Sequence, residues 1–359
     1  MNRRMIELLS LFFLLGVTSW GDSCFCAKKK ESKKEPFEMH KGRLRSMMYV
    51  PLTDIEKKIH HRLVTIAEDK TVAVWQLSSG ACIQTFEGFR HDLHSLTSLI
   101  VNGEKVMIVV GLTDGSMRLI LLDEKYPRQV NTGKNARVNV FEKIDNNTLF
   151  AGLADGSLCR LTFKGNDVTV DFPIKKLGSV VFLRYIGDDK IIIVCGDGIV
   201  MVFDIKQNTI VSKTSSFFKK PIIGIESLPS QKALVCLKSG LWMWDLVQEK
   251  EGVKFLANVN KEITAFLKWD YTTFIVGCSD GTCYRYSAEE NKFYFLEKVH
   301  KNSIISLAKN NDVLIVASGV GAIKQLNLVK KTEGVAFQCA DGYSPVVDGD
   351  DEELFDLEI

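Results

Sequence analysis

The residues of this chain that could carry chemistry are its histidines, its cysteines and a series of aspartates in turn-like segments. None of the six histidines (40, 60, 61, 91, 94 and 300) has a serine or cysteine partner in a nucleophile motif. The nine cysteines include no CxxC pair and no Cys/His spacing that is typical of a metal site. We therefore predict no catalytic residue, no metal ligand and no cofactor.

The turn-like segments recur at nearly constant spacing. They read EDKT, TDGS, ADGS, GDGI, KSGL, SDGT and SGVG. The longest step is 45 residues, from Asp69 to Asp114, and the shortest is 39 residues, from Asp280 to Gly319. Asx-Gly pairs favour tight hairpins because glycine takes positive φ without steric cost. Periods of this length are typical of propeller blades with four strands each.

The segments between these turns indicate an all-β chain. Short apolar runs bounded by Gly, Asp and Asn recur without any amphipathic stretch of helical length. A chain of 359 residues with 46% hydrophobic content can bury a core without disulfides or metals. We predict a seven-bladed β-propeller of four-stranded antiparallel blades over residues 36–339.

One repeat carries the features of a known family. Residues 61–88, which include LVTIAEDKTVAVWQLSSGACIQTFEG, resemble a WD repeat over their whole length. The resemblance implies that blade 1 contains the structural hydrogen-bond tetrad of that family. Its members would be His40, Thr65, Asp69 and Trp75. The other repeats resemble the family more loosely.

Two segments compete for the outer strand of the last blade. If His40 occupies the loop before the first blade, the segment EPFEM just ahead of it falls where an outer strand would lie. In a propeller of this type such an N-terminal strand completes the last blade and pairs its open edge. The alternative is the segment GVAFQC at residues 334–339. The sequence favours the N-terminal closure.

Residues 1–21 differ in character from the rest of the chain. A basic start is followed by the apolar run LLSLFFLLGVTSW, with Ser19 and Gly21 at the positions that precede a cleavage point. This layout predicts a signal peptide, with a retained short anchor as the alternative. Residues 22–35 form a predicted charged linker. A cleaved signal places the protein in the secretory pathway or outside the cytoplasm, whereas an anchor places it on a membrane, facing the cytoplasm.

The loops that lead into the first strand of each blade contain basic side chains. In a propeller these loops share one face, so we expect that face to be mildly cationic. An aromatic pair adds a potential anchor for a partner. The predicted partner-binding residues are Lys134, Arg137, Lys175, Lys176, Phe217, Phe218, Lys219, Lys220, Lys261 and Lys301.

The last twenty residues, 340–359, are acidic and contain no basic side chain. We predict a disordered tail. Its end resembles the clathrin-box motif and forms a candidate docking segment: Leu354, Phe355, Asp356, Leu357 and Glu358. An acidic tail on the same chain as a cationic face could also fold back over it and compete with an acidic partner.

These features favour a non-catalytic scaffold for protein–protein interaction, built as a monomeric propeller that works within a complex. The expected partners are other proteins, including acidic peptides. The net charge of +2 is too small to imply nucleic-acid binding, and membrane contact is expected only through an uncleaved N-terminal segment. The alternative is a secreted or envelope propeller that binds a small ligand or sugar in its central channel, because GDGIVMVFDIKQNT resembles a quinoprotein-like repeat. The strands expected to line that channel suit plain packing better.

Overall fold

The computed structural model describes residues 40–53, 57–101, 105–122, 124, 126–165, 167–213, 221–229, 232–246, 253–330 and 337–339. These residues belong to one compact unit and form seven four-stranded sheets. None of them lies in a helix, so this part of the chain contains no helix that could cross a membrane. The predicted seven-bladed, all-β architecture is confirmed.

Each blade consists of four strands that are consecutive in the chain and pair in antiparallel order. Blades 1 and 2 are β1 (Leu44–Thr53), β2 (Ile59–Ala67), β3 (Val72–Gln76), β4 (Ala81–Phe86), β5 (Leu93–Val101), β6 (Lys105–Leu112), β7 (Ser116–Leu121) and β8 (Arg128–Asn131). Blades 3 and 4 are β9 (Val138–Lys143), β10 (Thr148–Leu153), β11 (Leu158–Lys164), β12 (Asp167–Ile174), β13 (Val180–Gly187), β14 (Lys190–Cys195), β15 (Val200–Asp204) and β16 (Thr209–Lys213).

The remaining three blades follow the same order. Blades 5 and 6 are β17 (Ile222–Leu228), β18 (Lys232–Leu237), β19 (Gly240–Asp245), β20 (Val253–Ala257), β21 (Ile263–Lys268), β22 (Thr273–Cys278), β23 (Thr282–Ser287) and β24 (Lys292–Lys298). Blade 7 is β25 (Ile304–Asn310), β26 (Val313–Ser318), β27 (Ile323–Lys330) and β28 (Phe337–Cys339).

Burial follows the position of a strand within its blade. The second strands are largely buried, and β22 is buried along its whole length, because each blade packs between two others. In β12 and β16, two of the fourth strands, every residue is exposed or half-buried. The core is therefore a series of apolar layers between adjacent blades.

The first strand of each blade lies innermost. These seven inner strands contact one another in sequence, and β25 contacts β1, so the ring is closed around a central channel. Polar side chains join adjacent inner strands across the blade boundaries. Ser95 Oγ donates to the Val138 carbonyl at 2.9 Å, and Thr264 Oγ1 donates to the Ile304 carbonyl at 2.6 Å.

We call one side of the propeller the turn face. It consists of the turns between second and third strands together with the loops before the inner strands. Backbone hydrogen bonds join the two sets, for example from Glu68 N–H to the Arg43 carbonyl at 2.9 Å. Gly156 and Gly281 have φ of 82° in these turns, and a Cβ at Gly281 would collide with the carbonyl of His300. The Asp-Gly sequences therefore reflect a real backbone requirement.

The outer strand of blade 7 comes from the C-terminal segment. β28 pairs with β27, with Leu328 opposite Cys339 and Lys330 opposite Phe337. The N-terminal closure that the sequence favoured is thus replaced by its alternative, while residues 36–39 lie outside the described part of the chain. Only six residues separate the end of β27 from the start of β28, so this pairing has a small loop-closure cost.

Candidate protein-binding face

All four predicted tetrad side chains meet in blade 1. The indole Nε1 of Trp75 donates to Thr65 Oγ1 at 2.8 Å, and Thr65 Oγ1 lies 2.7 Å from His40 Nε2. The other imidazole nitrogen, Nδ1, lies 3.3 Å from both carboxylate oxygens of Asp69. Thr65 and Trp75 are buried, so this chain of hydrogen bonds runs from the core to the turn face.

Asp69 also binds groups outside the tetrad. The Thr71 hydroxyl donates to Asp69 Oδ1 at 2.7 Å, and the Lys41 backbone N–H donates to Oδ2 at 2.7 Å. With its proton on Nδ1, His40 donates toward Asp69 and accepts from the Thr65 hydroxyl at Nε2. Asp69 therefore joins the loop before β1 to the turn between β2 and β3.

Burial sets the charge state of this pair. It lowers the pKa of His40, although attraction and hydrogen bonding to Asp69 oppose the shift. Burial alone would raise the pKa of Asp69, but hydrogen bonds from Thr71 and Lys41 outweigh it and lower that pKa. A neutral imidazole thus lies beside a carboxylate, which suits a fixed structural contact.

Five turn aspartates, including Asp69, share a hydrogen bond within the turn itself. Each accepts a hydrogen bond from the N–H two residues later, at 2.9–3.1 Å: Asp69, Asp114, Asp155, Asp197 and Asp280. Basic loop side chains meet three of these carboxylates: His91 with Asp114, Lys134 with Asp155, and Lys261 with Asp280. Among the described residues, the full tetrad is found only in blade 1.

The turn face carries charges of both signs. Lys134 and Lys261, two of the predicted partner-binding residues, are ion-paired with the turn aspartates of their blades. Three further ion pairs lie on the same face: Arg45–Glu68, Lys70–Asp92 and Lys238–Glu262. Such exposed pairs contribute little to stability, but they reduce the net charge that a partner meets.

The other predicted residues divide into two groups. Arg137 is exposed and donates from Nε to Asn139 Oδ1 at 2.7 Å. Lys175, Lys176 and Lys301 are also exposed on the turn face, and the first two form no ion pair with any described residue. The second group lies outside the described residues: Phe217, Phe218, Lys219, Lys220, Leu354, Phe355, Asp356, Leu357 and Glu358.

A feature that the sequence did not predict is a ring of bulge residues. The second residue of every inner strand is skipped in the pairing register; Leu44 pairs with Ala67, for example, and Ser46 pairs with Ile66. A bulge leaves its extra residue unpaired and re-aims its side chain. We call the seven residues the bulge ring: Arg45, His94, Asn139, Val181, Ile223, Thr264 and Ile305.

The bulge ring lies where the inner strands leave the turn face, at the mouth of the channel. Its members in blades 1 to 3 are cationic or polar, and its members in blades 4, 5 and 7 are aliphatic. Burial, and then the charges of Arg137 and Arg45, lower the pKa of His94 to about 4. The positive charge at neutral pH therefore comes from the two arginines. Val181, on the aliphatic side, is 37% exposed.

A charged cluster lies deeper on the inner strands. Arg184 Nη2 lies 2.7 Å from Glu226 Oε1, and Arg184 Nη1 lies 3.7 Å from Glu142 Oε2. Burial raises the pKa of both glutamates, and Arg184 partly opposes the shift. The sequence suggested that the inner strands serve only for packing. In blades 3 to 5 they instead carry a cluster of three charged side chains.

A sequence signal for this cluster exists. Glu142, Arg184 and Glu226 each stand four residues after the first residue of their inner strand, so they would align in a comparison of the repeats. Arg184 also donates from Nε to the Ile225 carbonyl at 3.2 Å, and the Tyr185 N–H donates to Glu142 at 2.8 Å. These contacts join three adjacent blades.

No set of residues in the described ranges is arranged as a metal centre, since no three His, Cys, Asp or Glu side chains converge there. The seven sheets define a β-propeller, and the complete tetrad of blade 1 resembles that of a WD repeat.

Comparisons with known proteins agree with this class. No family model matches the chain. The SIR4-interacting protein SIF2 of Saccharomyces cerevisiae is 26% identical over 161 residues, which cover 42% of this chain and 30% of that protein. The chain thus matches less than a third of this relative. A computationally designed protein, Ika8, superposes with a TM-score of 0.56 at 15% identity and covers 81% of this chain and 98% of its own, which shows the fold alone.

The fold, the tetrad of blade 1 and the partial match are consistent with a divergent WD-repeat β-propeller.

Proposed function

We propose that this chain is a non-catalytic scaffold that binds other proteins through its turn face. The observation that carries the proposal is the bulge ring, because seven residues that are skipped in the strand register surround one opening on a frame of paired strands. Side chains held by a rigid frame lose little entropy when a partner binds. The relative SIF2 is itself named as a protein that interacts with another protein, which supports this role.

The partner that best fits this surface is an acidic segment with apolar side chains. Arg137 offers a guanidinium group for a carboxylate, and Arg45 can exchange its exposed pair with Glu68 for a partner's carboxylate. Lys175 and Lys176 extend the positive charge toward blade 4. Val181 and the other aliphatic members of the ring offer an apolar surface on the far side. A segment that carries only acidic or only apolar side chains would leave half of the mouth unused.

The test uses a propeller that ends after residue 339 and the labelled peptide DGDDEELFDLE as an acidic–apolar probe. We expect the double variant Arg45→Gln/Arg137→Gln to weaken binding at least about tenfold, since two charge-assisted contacts are lost. The control Lys206→Gln/Lys292→Gln removes the same charge from exposed positions on the opposite side. Equal losses in the two double variants, measured by fluorescence anisotropy, would reject the channel mouth as the binding surface.

We further propose that the acidic tail competes for the same surface. β28 lies three strand spacings, or about 14 Å, from the inner strand of its blade. Ten residues after Cys339 can span about 33 Å, which is enough to bring the acidic residues that follow to the channel mouth. The full chain should bind the probe peptide more weakly than the shortened chain at low salt. The difference should vanish near 1 M salt, where the Debye length falls to about 3 Å.

We propose a cleaved signal peptide at residues 1–21, with a retained anchor as the alternative. N-terminal sequencing of the protein isolated from its own cells separates the two. A mature chain that begins near residue 22 supports cleavage and excludes partners in the cytosol.

A further inference from the structure

One turn on the side opposite the turn face contains a triplet that the proposed binding role leaves unused. The turn joins β9 to β10 in blade 3, and the triplet is Asn146, Asn147 and Thr148. An asparagine, then any residue except proline, then a serine or threonine is the acceptor signal for N-linked glycosylation. No other triplet in the sequence has this pattern, so Asn146 is its single candidate acceptor.

Asn146 is exposed and takes no part in the contacts that hold this turn. The Asn147 N–H donates to Asp145 Oδ1 at 2.7 Å, and the Ile144 N–H donates to the Thr148 carbonyl at 3.1 Å. The side chain of Asn146 forms no hydrogen bond with any described residue, and both of its neighbours in the chain are exposed as well. A bulky, hydrophilic group on Asn146 would therefore break no contact and displace no packed side chain.

The turn that carries Asn146 is remote from the proposed binding surface. β9 begins beside the turn face, where the Ala154 N–H donates to the Arg137 carbonyl at 2.9 Å, and it then runs away from that face. A strand of six residues such as β9 spans about 20 Å. A glycan on Asn146 would thus leave the bulge ring clear for a protein partner.

We propose that Asn146 carries an N-linked glycan. The inference rests on the signal peptide proposed above, because this modification is added to chains that enter the secretory pathway. The co-reactant is an oligosaccharide carried on a lipid diphosphate. Nδ2 of Asn146 forms a bond with the anomeric carbon of the first sugar and loses one proton. The bond between that carbon and the diphosphate oxygen breaks, and the lipid diphosphate leaves with the electron pair.

The test isolates the full chain from its own cells and treats it with peptide N-glycosidase, which removes an N-linked glycan and converts its asparagine to aspartate. We expect the band on a denaturing gel to shift to the mass of the bare polypeptide, and peptide mass spectrometry should find aspartate at position 146. Asn146→Gln should abolish the shift. The matched control Asn147→Gln alters an equally exposed neighbour but keeps the triplet, so it should retain the shift. Should Asn146→Gln fail to fold, Thr148→Val removes the signal and leaves the asparagine in place.

N-terminal sequencing of the same sample separates this inference from the signal peptide on which it rests. A chain that begins near residue 22 and has an unmodified Asn146 overturns the glycan alone. An uncleaved chain that carries the glycan supports the inference and overturns only the cleavage. An uncleaved chain without a glycan overturns both. A shift that persists in Asn146→Gln places the modification elsewhere and rejects Asn146 as the acceptor.

Discussion

Asp69 holds three parts of blade 1 together, because its carboxylate meets His40, the Thr71 hydroxyl and the Lys41 N–H. Asp69→Ala should lower the free energy of unfolding by about 1–3 kcal/mol, since it leaves partly buried donors unpaired. The matched control is Asp155→Ala, which removes the same type of turn contact but only an exposed lysine pair. Urea denaturation measures both. Equal losses would show that the tetrad adds nothing beyond the turn.

His40 and His94 link stability to pH. Their pKa values lie below the ordinary value of 6.5 in the folded protein, with His94 at about 4. As pH falls below about 6.5, the unfolded chain binds protons that the folded chain does not, so the protein should lose stability progressively toward pH 4. Well above pH 6.5 both histidines are neutral in the folded and the unfolded chain, so their contribution is constant there.

His94→Gln should flatten this profile. We expect the loss of stability between pH 7 and pH 4.5 to shrink by on the order of 1 kcal/mol, after allowance for solvent screening at a half-exposed site. Denaturation curves at each pH give the slope, and the values at pH 8 serve as the reference for any effect unrelated to titration. A slope equal to that of the wild type would show that His94 binds its proton equally well in both states.

The inner strands of blades 3 to 5 depend on one arginine. Arg184→Met would leave Glu142 and Glu226 without their shared cation, so it should cost about 2–4 kcal/mol at pH 8. The loss should be smaller at pH 5, because carboxyls with a raised pKa accept protons as the pH falls.

A second substitution tests the cause of that loss. In the Arg184→Met background, Glu226→Gln should restore part of the stability at pH 8 and little at pH 5. Thermal unfolding at the two pH values measures both effects. If the double variant is as unstable as the single variant at pH 8, the loss comes from packing and not from charge.

Ring closure is a property of the whole propeller. A chain that ends after Lys330 lacks β28 and exposes the edge of β27, whereas a chain that ends after Cys339 keeps every described strand. The shorter chain should melt at least several degrees lower, because an unpaired outer edge and an incomplete blade reduce the buried area at the seam. Equal melting temperatures would mean that another segment, such as residues 36–39, supplies the outer strand.

The number of blades and the chemistry of the turns follow from the sequence alone. Asp-Gly turns require only local hydrogen bonds and positive φ, as at Asp155 and Gly156, and both requirements leave a local pattern. The tetrad is formed by residues of one repeat, so the resemblance of that repeat to a WD repeat implied that His40 and Asp69 would meet, as they do.

How the blades meet is visible only in the folded protein. The bulge ring and the Glu142–Arg184–Glu226 cluster consist of residues from different blades, which a pattern within one repeat cannot bring together. The sequence also left two candidates for the outer strand of blade 7. The pairing of β28 with β27 shows which of them occupies that position. Turns and their hydrogen bonds involve residues that are close in sequence. Contacts between blades depend on register and packing across repeats about forty residues apart.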